Sequence, residues 1–128
     1  MIRRHLPLAL APLALAMAGC ATAPSTPFIV FFTDDSALLQ PVALDVLRSA
    51  ANNAAANPQA PVLVRGFAGV DGGRAFSREL SAARAERVAS QLAEYGVARN
   101  RITVSARSAV APELAAEEAR RVEVRVGG

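Results

Sequence analysis

Residues 61–96 read PVLVRGFAGVDGGRAFSRELSAARAERVASQLAEYG, and the change of pattern within them decides the fold. Val62-Leu63-Val64-Arg65-Gly66-Phe67 is apolar and β-branched and predicts a strand. Ala68 to Gly73 is a glycine-rich loop in which Asp71-Gly72-Gly73 carries the turn signal. From there apolar side chains recur at Phe76, Leu80, Ala83, Val88, Leu92 and Tyr95, the spacing of one helix face, and Gly96 stands where helices end.

Outward from this unit, Phe28-Ile29-Val30-Phe31-Phe32 is a continuous apolar run bounded by Thr33-Asp34-Asp35-Ser36 and reads as a buried central strand. Leu39, Val42, Val46 or Leu47, Ala50 and Ala54 predict a helix that begins near Leu39 or Pro41 and stops at Pro58. Ile102 to Ala106 alternates as a third strand. Arg121 to Val126 alternates as a fourth, with Val122, Val124 and Val126 facing inward. The order β-α-β-α-β-β predicts an α/β (α+β) two-layer sandwich: one mixed sheet with both helices on one face, right-handed crossovers, and a last strand returning hairpin-like and antiparallel. Leu80, Val88, Leu92, Val122 and Val124 are expected to share one core with the Phe28–Phe32 strand.

The chain has 128 residues, one cysteine, one histidine and no tryptophan, with 14 basic side chains against 11 acidic ones. A single core is affordable at this length, and one cysteine excludes an internal disulfide framework or a cysteine-based zinc cluster. Met1 to His5 is a basic leader, Leu6 to Ala16 an apolar stretch too short to span a bilayer, and Ala18-Gly19 a small-residue cleavage point, together a secretory signal. Removing residues 1–19 takes away Arg3 and Arg4 and leaves 12 arginines against 11 acids. Those arginines interleave with glutamates, as in Arg84/Glu86/Arg87 and Arg121/Glu123/Arg125, so no nucleic-acid surface is expected.

The end of the leader, Leu15-Ala16-Met17-Ala18-Gly19-Cys20, resembles the lipobox of bacterial lipoproteins, with Met17 where the pattern prefers leucine. The resemblance implies that Cys20 becomes the acylated first residue and that 20–27 form a tether to a domain at 28–126. Several acyl chains hold such a protein stably, and Ala21 in place of an aspartate implies sorting to the outer membrane, with the domain in the periplasm.

Gly66, Leu80-Ser81, Arg84-Ala85, Val88, Leu92, Gly96-Val97, Arg101-Ile102, Pro112 and Arg120-Arg121-Val122-Glu123 fall in the order and spacing of the OmpA-like peptidoglycan-associated domain, which the chain resembles over about residues 28 to 126. The resemblance implies non-covalent binding of the diaminopimelate group of the peptidoglycan stem peptide, a zwitterion that calls for a guanidinium and a carboxylate. Arg84 matches the family arginine. Phe76, Leu80 and Arg84 form an i, i+4, i+8 column, so its guanidinium is expected beside the apolar stripe, either facing ligand or lying at the core rim paired with Glu79 or Glu86.

The family aspartate position is Gly69 here. Asp71, two residues on, is either the replacement carboxylate or an ordinary Asp-Gly turn. Asp34 and Asp35 are either a second source of that carboxylate or solvated loop residues. Ser77 stands at the family asparagine, able to hydrogen-bond the ligand or cap the helix. Ala106, Ser108 and Ala119 also depart from the family. Two functions follow: an outer-membrane lipoprotein tethering membrane to peptidoglycan, or an OmpA-like lipoprotein with a decayed pocket serving as a periplasmic interaction or envelope-assembly protein. No enzyme, cofactor or metal is expected, because the mature chain has no histidine or lysine and Ser77 and Ser81 have no base.

Overall fold

The computed structural model describes residues 25–33, 35–69, 73–108 and 119–127. Its elements are β1 (Phe28–Phe31), α1 (Pro41–Ala56), β2 (Val62–Ala68), α2 (Arg74–Glu94), a 3-10 turn at Arg99–Arg101, β3 (Ile102–Ser108) and β4 (Arg121–Val126). The leader and the tether up to residue 24 lie outside the described residues. All the described elements fall between Phe28 and Val126, so a chain that begins at residue 21 retains them.

The sheet is mixed and four-stranded, in the order β1-β4-β2-β3. β2 and β3 pair parallel, while β4 runs antiparallel to β1 on one side and to β2 on the other. Two expectations are corrected here. The last strand does not fold back on β3 as a hairpin but inserts between the first two strands, with Val124 opposite Phe28 of β1 and Val64 of β2. The Phe28–Phe32 run is therefore an edge, not the centre. A continuous apolar run suggests burial on both faces, yet only Val30 and Phe32 turn fully inward, and Phe31 is 55% exposed.

Helices pack on one face only. Val62, Val64, Gly66 and Ala68 of β2 and Val122, Val124 and Val126 of β4 are buried beneath them, and the core is completed by Leu47, Ala50 and Ala54 of α1 and by Ala85, Val88 and Leu92 of α2. Alanines let α1 approach closely. Pro41 occupies its first turn, where a missing N–H costs nothing. At its far end Arg101 donates from Nη2 to the carbonyls of Ala54 (3.1 Å), Asn57 (2.7 Å) and Ala60 (2.8 Å), satisfying acceptors that a helix leaves open.

The buried face of α2 differs from the expected stripe. Phe76 is 42% exposed, Ala83 is exposed and Leu80 only half-buried, whereas Ser77, Ser81, Arg84, Ala85, Val88, Ala89 and Leu92 face the sheet. Size decides the rotation: a β-carbon on Gly66 would lie 2.1 Å from the Ser81 carbonyl oxygen, so helix and strand meet backbone to backbone and only small residues fit between them. The helix ends where Gly96 adopts φ 98°, with the N–H of Gly96 on the Ala93 carbonyl and that of Val97 on Leu92, both at 3.0 Å, an arrangement open to glycine at little steric cost.

Candidate functional site

β1 and β2 are parallel, so their C-terminal ends lie at the same end of the sheet, where α2 also begins. Arg84 is planted in the inward face of α2 and reaches into this corner. Its Nε donates to the Ser36 carbonyl at 2.8 Å, Nη2 to Thr33 at 3.1 Å and Nη1 to Phe67 at 3.4 Å, and its Cζ lies 5.3 Å from the centre of the Phe32 ring. One guanidinium thus joins the loop after β1, the end of β2 and the middle of α2. The planar fork suits acceptors arriving from several directions.

Arg84 is 1% exposed, which corrects the expectation of a rim arginine. The described acceptors of its hydrogen bonds are backbone carbonyls, not Glu79 or Glu86, both of which are exposed. The rotation of α2 is the cause, since turning Ser77 and Ser81 inward carries Arg84 inward with them. The loop that receives it is itself ordered by local bonds: Ser36 N–H donates to the Thr33 carbonyl at 3.3 Å and Ser36 Oγ accepts from Leu38 N–H at 3.1 Å.

Ser77 is buried in the first turn of α2, and its hydroxyl donates to the carbonyl of Gly69. The residue preceding the helix is Gly73, with no side-chain cap, so Ser77 ties the loop after β2 to the helix instead of capping it. Among the described residues, the nearest atom to a β-carbon added at Gly69 is the Ala119 β-carbon at 3.6 Å, an ordinary contact. Among the described residues nothing obstructs a β-carbon at the family aspartate position. Asp34 and Asp71 lie outside the described residues; Asp35 is exposed, with φ 48°.

An open groove of about 290 Å³ adjoins this corner, lined by Phe31, Phe32, Thr33 and Arg120. Phe32 is shared between groove and guanidinium, and its N–H donates to the Arg120 carbonyl at 2.9 Å. The roles of Phe32, Thr33, Ser36 and Phe67 had no signal in the sequence, because three of them act through backbone carbonyls that every residue possesses. Chemically the corner is a cluster of hydrogen-bond donors engaged on backbone carbonyls, with one buried positive charge at its centre. The hydroxyls of Ser77 and Ser81 donate to carbonyls, that of Ser81 to Arg78 at 3.0 Å, and among the described residues no three histidine, cysteine, aspartate or glutamate side chains group as metal ligands.

Solved structures share this architecture. The peptidoglycan-associated lipoprotein from Burkholderia pseudomallei superposes with a TM-score of 0.70 at 22% identity, covering 77% of this chain and 88% of that one. The C-terminal domain of Helicobacter pylori MotB gives 0.69 at 23%, covering 80% and 84%, and the OmpA-like domain of FopA1 from Francisella tularensis 0.66 at 19%, covering 78% and 74%. No curated protein matches the chain in sequence. The model of the OmpA family, however, matches residues 31–125, nearly all of the folded part, and the chain belongs to that family.

Proposed function

We infer that this protein is an outer-membrane lipoprotein whose domain stands in the periplasm and binds peptidoglycan non-covalently at the Arg84 corner, holding membrane to wall. The observation that carries the reading is the meeting of Arg84, Ser77 and the Gly69 loop at one end of an OmpA-family sheet. A relative of the same fold is a peptidoglycan-associated lipoprotein, and Cys20 supplies the point of acylation. A stem-peptide carboxylate would exchange with the Thr33 or Ser36 carbonyl on the guanidinium, trading a neutral acceptor for a charged one, whose bonds are about twice as strong. Asp71 or Asp34 would meet the ammonium. The chemistry is recognition without catalysis.

Co-sedimentation of the chain with purified sacculi tests this. Retention that falls with added diaminopimelate is expected, and no retention would overturn it.

A second reading is favoured by the deep burial of Arg84 and the absence of a side chain at Gly69: a domain whose pocket has closed, retained as a periplasmic interaction or envelope-assembly protein. NMR titration separates the two. Under the first reading, millimolar diaminopimelate shifts the resonances of Ser36, Ser77 and Arg84; under the second, it shifts none of them.

A further inference from the structure

The face of the sheet turned away from the helices is basic. Strand alternation places Arg65 of β2, Arg107 of β3 and Arg121 and Arg125 of β4 on it, and among the described residues Glu123 is the single acid there. Glu123 pairs with Arg121 at 3.2 Å, and Arg121 also stacks on Phe67, 4.1 Å from the ring centre. Arg65 and Arg107 are exposed. Phe31, more than half exposed, lies on the same face at its β1 edge. The helical layer is mixed instead: among its described exposed side chains, Arg48, Arg78, Arg87 and Arg99, the last bonded to Ser90 Oγ of α2, are matched by Asp45, Glu79, Glu86 and Glu94.

The N-terminal chain meets this basic face. Arg125 Nη1 donates to the Ser25 carbonyl at 2.8 Å, so the polypeptide is fastened to the sheet five residues after Cys20. Fully extended, those residues reach at most about 18 Å. A domain of this size is about 35 Å across, from a radius of gyration near 13 Å. An acylated Cys20 therefore keeps the domain within about half its own diameter of the bilayer, tied through the face that carries the arginines.

We propose that this sheet face docks on the anionic phospholipid headgroups of the membrane that holds the anchor, Arg65, Arg107 and Arg125 meeting phosphates and Phe31 entering the interface. The proposal rests on the anchored reading of Cys20 for its geometry. The anchor makes the contact intramolecular, so a face of modest intrinsic affinity is enough.

Residues 21–128, which lack Cys20 and retain every described element, provide the test. At millimolar lipid they should sediment with vesicles of phosphatidylcholine containing about one third phosphatidylglycerol, remain in solution with phosphatidylcholine alone, and be released by salt. Arg65→Gln and Arg107→Gln should each lower the partition coefficient about fivefold, with melting curves unchanged. Arg78→Gln and Arg87→Gln on the helical layer should leave it unaltered. Equal binding to both vesicles, or equal losses from the helical variants, overturns the proposal. Retention on immobilised polyglutamate without vesicle binding overturns it too and assigns the face to an acidic protein. Since this segment carries no acylation site, vesicle binding is read independently of the anchor, which the mass of Cys20 in the cellular protein decides separately.

Discussion

The carbonyl oxygen of Ser81 occupies the space a side chain on Gly66 would need: a β-carbon there would sit 2.1 Å away, and 3.0 Å from the β-carbon of Ala85. Neither neighbour can swing aside, because one is helix backbone and the other its first side-chain atom. Gly66→Ala must push α2 off the sheet, and overpacking of this kind costs about 1–3 kcal/mol or more. Chemical denaturation should show that loss, with the slope of the transition preserved.

Gly69→Asp should behave in the opposite way. With the nearest atom of the described residues 3.6 Å from the new β-carbon, the variant should fold with a melting temperature close to that of the parent. If the corner binds the stem peptide, restoring the carboxylate adds a charge-assisted contact of about 1.5–3 kcal/mol. Sacculus binding should then tighten by one to two decades, at about 1.4 kcal/mol per decade.

Arg84→Ala removes the shared donor of the Thr33, Ser36 and Phe67 carbonyls. The Thr33 carbonyl keeps the Ser36 N–H, but the Ser36 and Phe67 carbonyls lose this donor, and a buried acceptor left without a partner costs about 1–3 kcal/mol, so the variant should be destabilised even without ligand. Arg84→Lys keeps the charge but cannot point donors in three directions from one ammonium; it should recover only part of the stability. A melting temperature equal to the parent's for Arg84→Ala would refute this account of the corner.

Leu92 is fully buried and Phe76 is not. Leu92→Ala should cost about 2–5 kcal/mol, a large share of the total stability of about 5–15 kcal/mol usual for a domain. Phe76→Ala should cost far less despite removing the larger side chain, and the half-buried Leu80 should fall between them. The order of the three unfolding midpoints checks the orientation of α2.

Cys20→Ala should abolish fatty-acid labelling and leave an unprocessed precursor. Labelling with radioactive palmitate and the intact mass of the protein read both effects.

Much of the fold was legible in the sequence, because hydrophobic period is a local property. The alternation at Val122, Val124 and Val126 marked a one-sided strand, and all three are buried. Strand order was not legible, since no local feature of Arg121–Val126 says that it inserts between β1 and β2 instead of returning on β3. The face of α2 departs from its stripe of large apolar residues because the close approach at Gly66 selects small side chains, Ser81 and Ala85, for contact. Arg84 could be singled out by its place in the LSxxRA string, but its burial could not, because the carbonyls that receive it carry no side-chain signature.

The fastening of Ser25 by Arg125 and the gathering of the Thr33 carbonyl by Arg84 stand at opposite ends of β1, and this has a mechanical consequence. Tension between an anchor at Cys20 and a wall gripped at the Arg84 corner would run along that strand. The bonds joining β1 to β4 lie across the strand direction, so a pull along it strains them together in shear instead of unzipping them one after another. A strand of four residues at the margin of a sheet is a weak seam when peeled; a load between those two points would instead pull it along the direction in which it resists most.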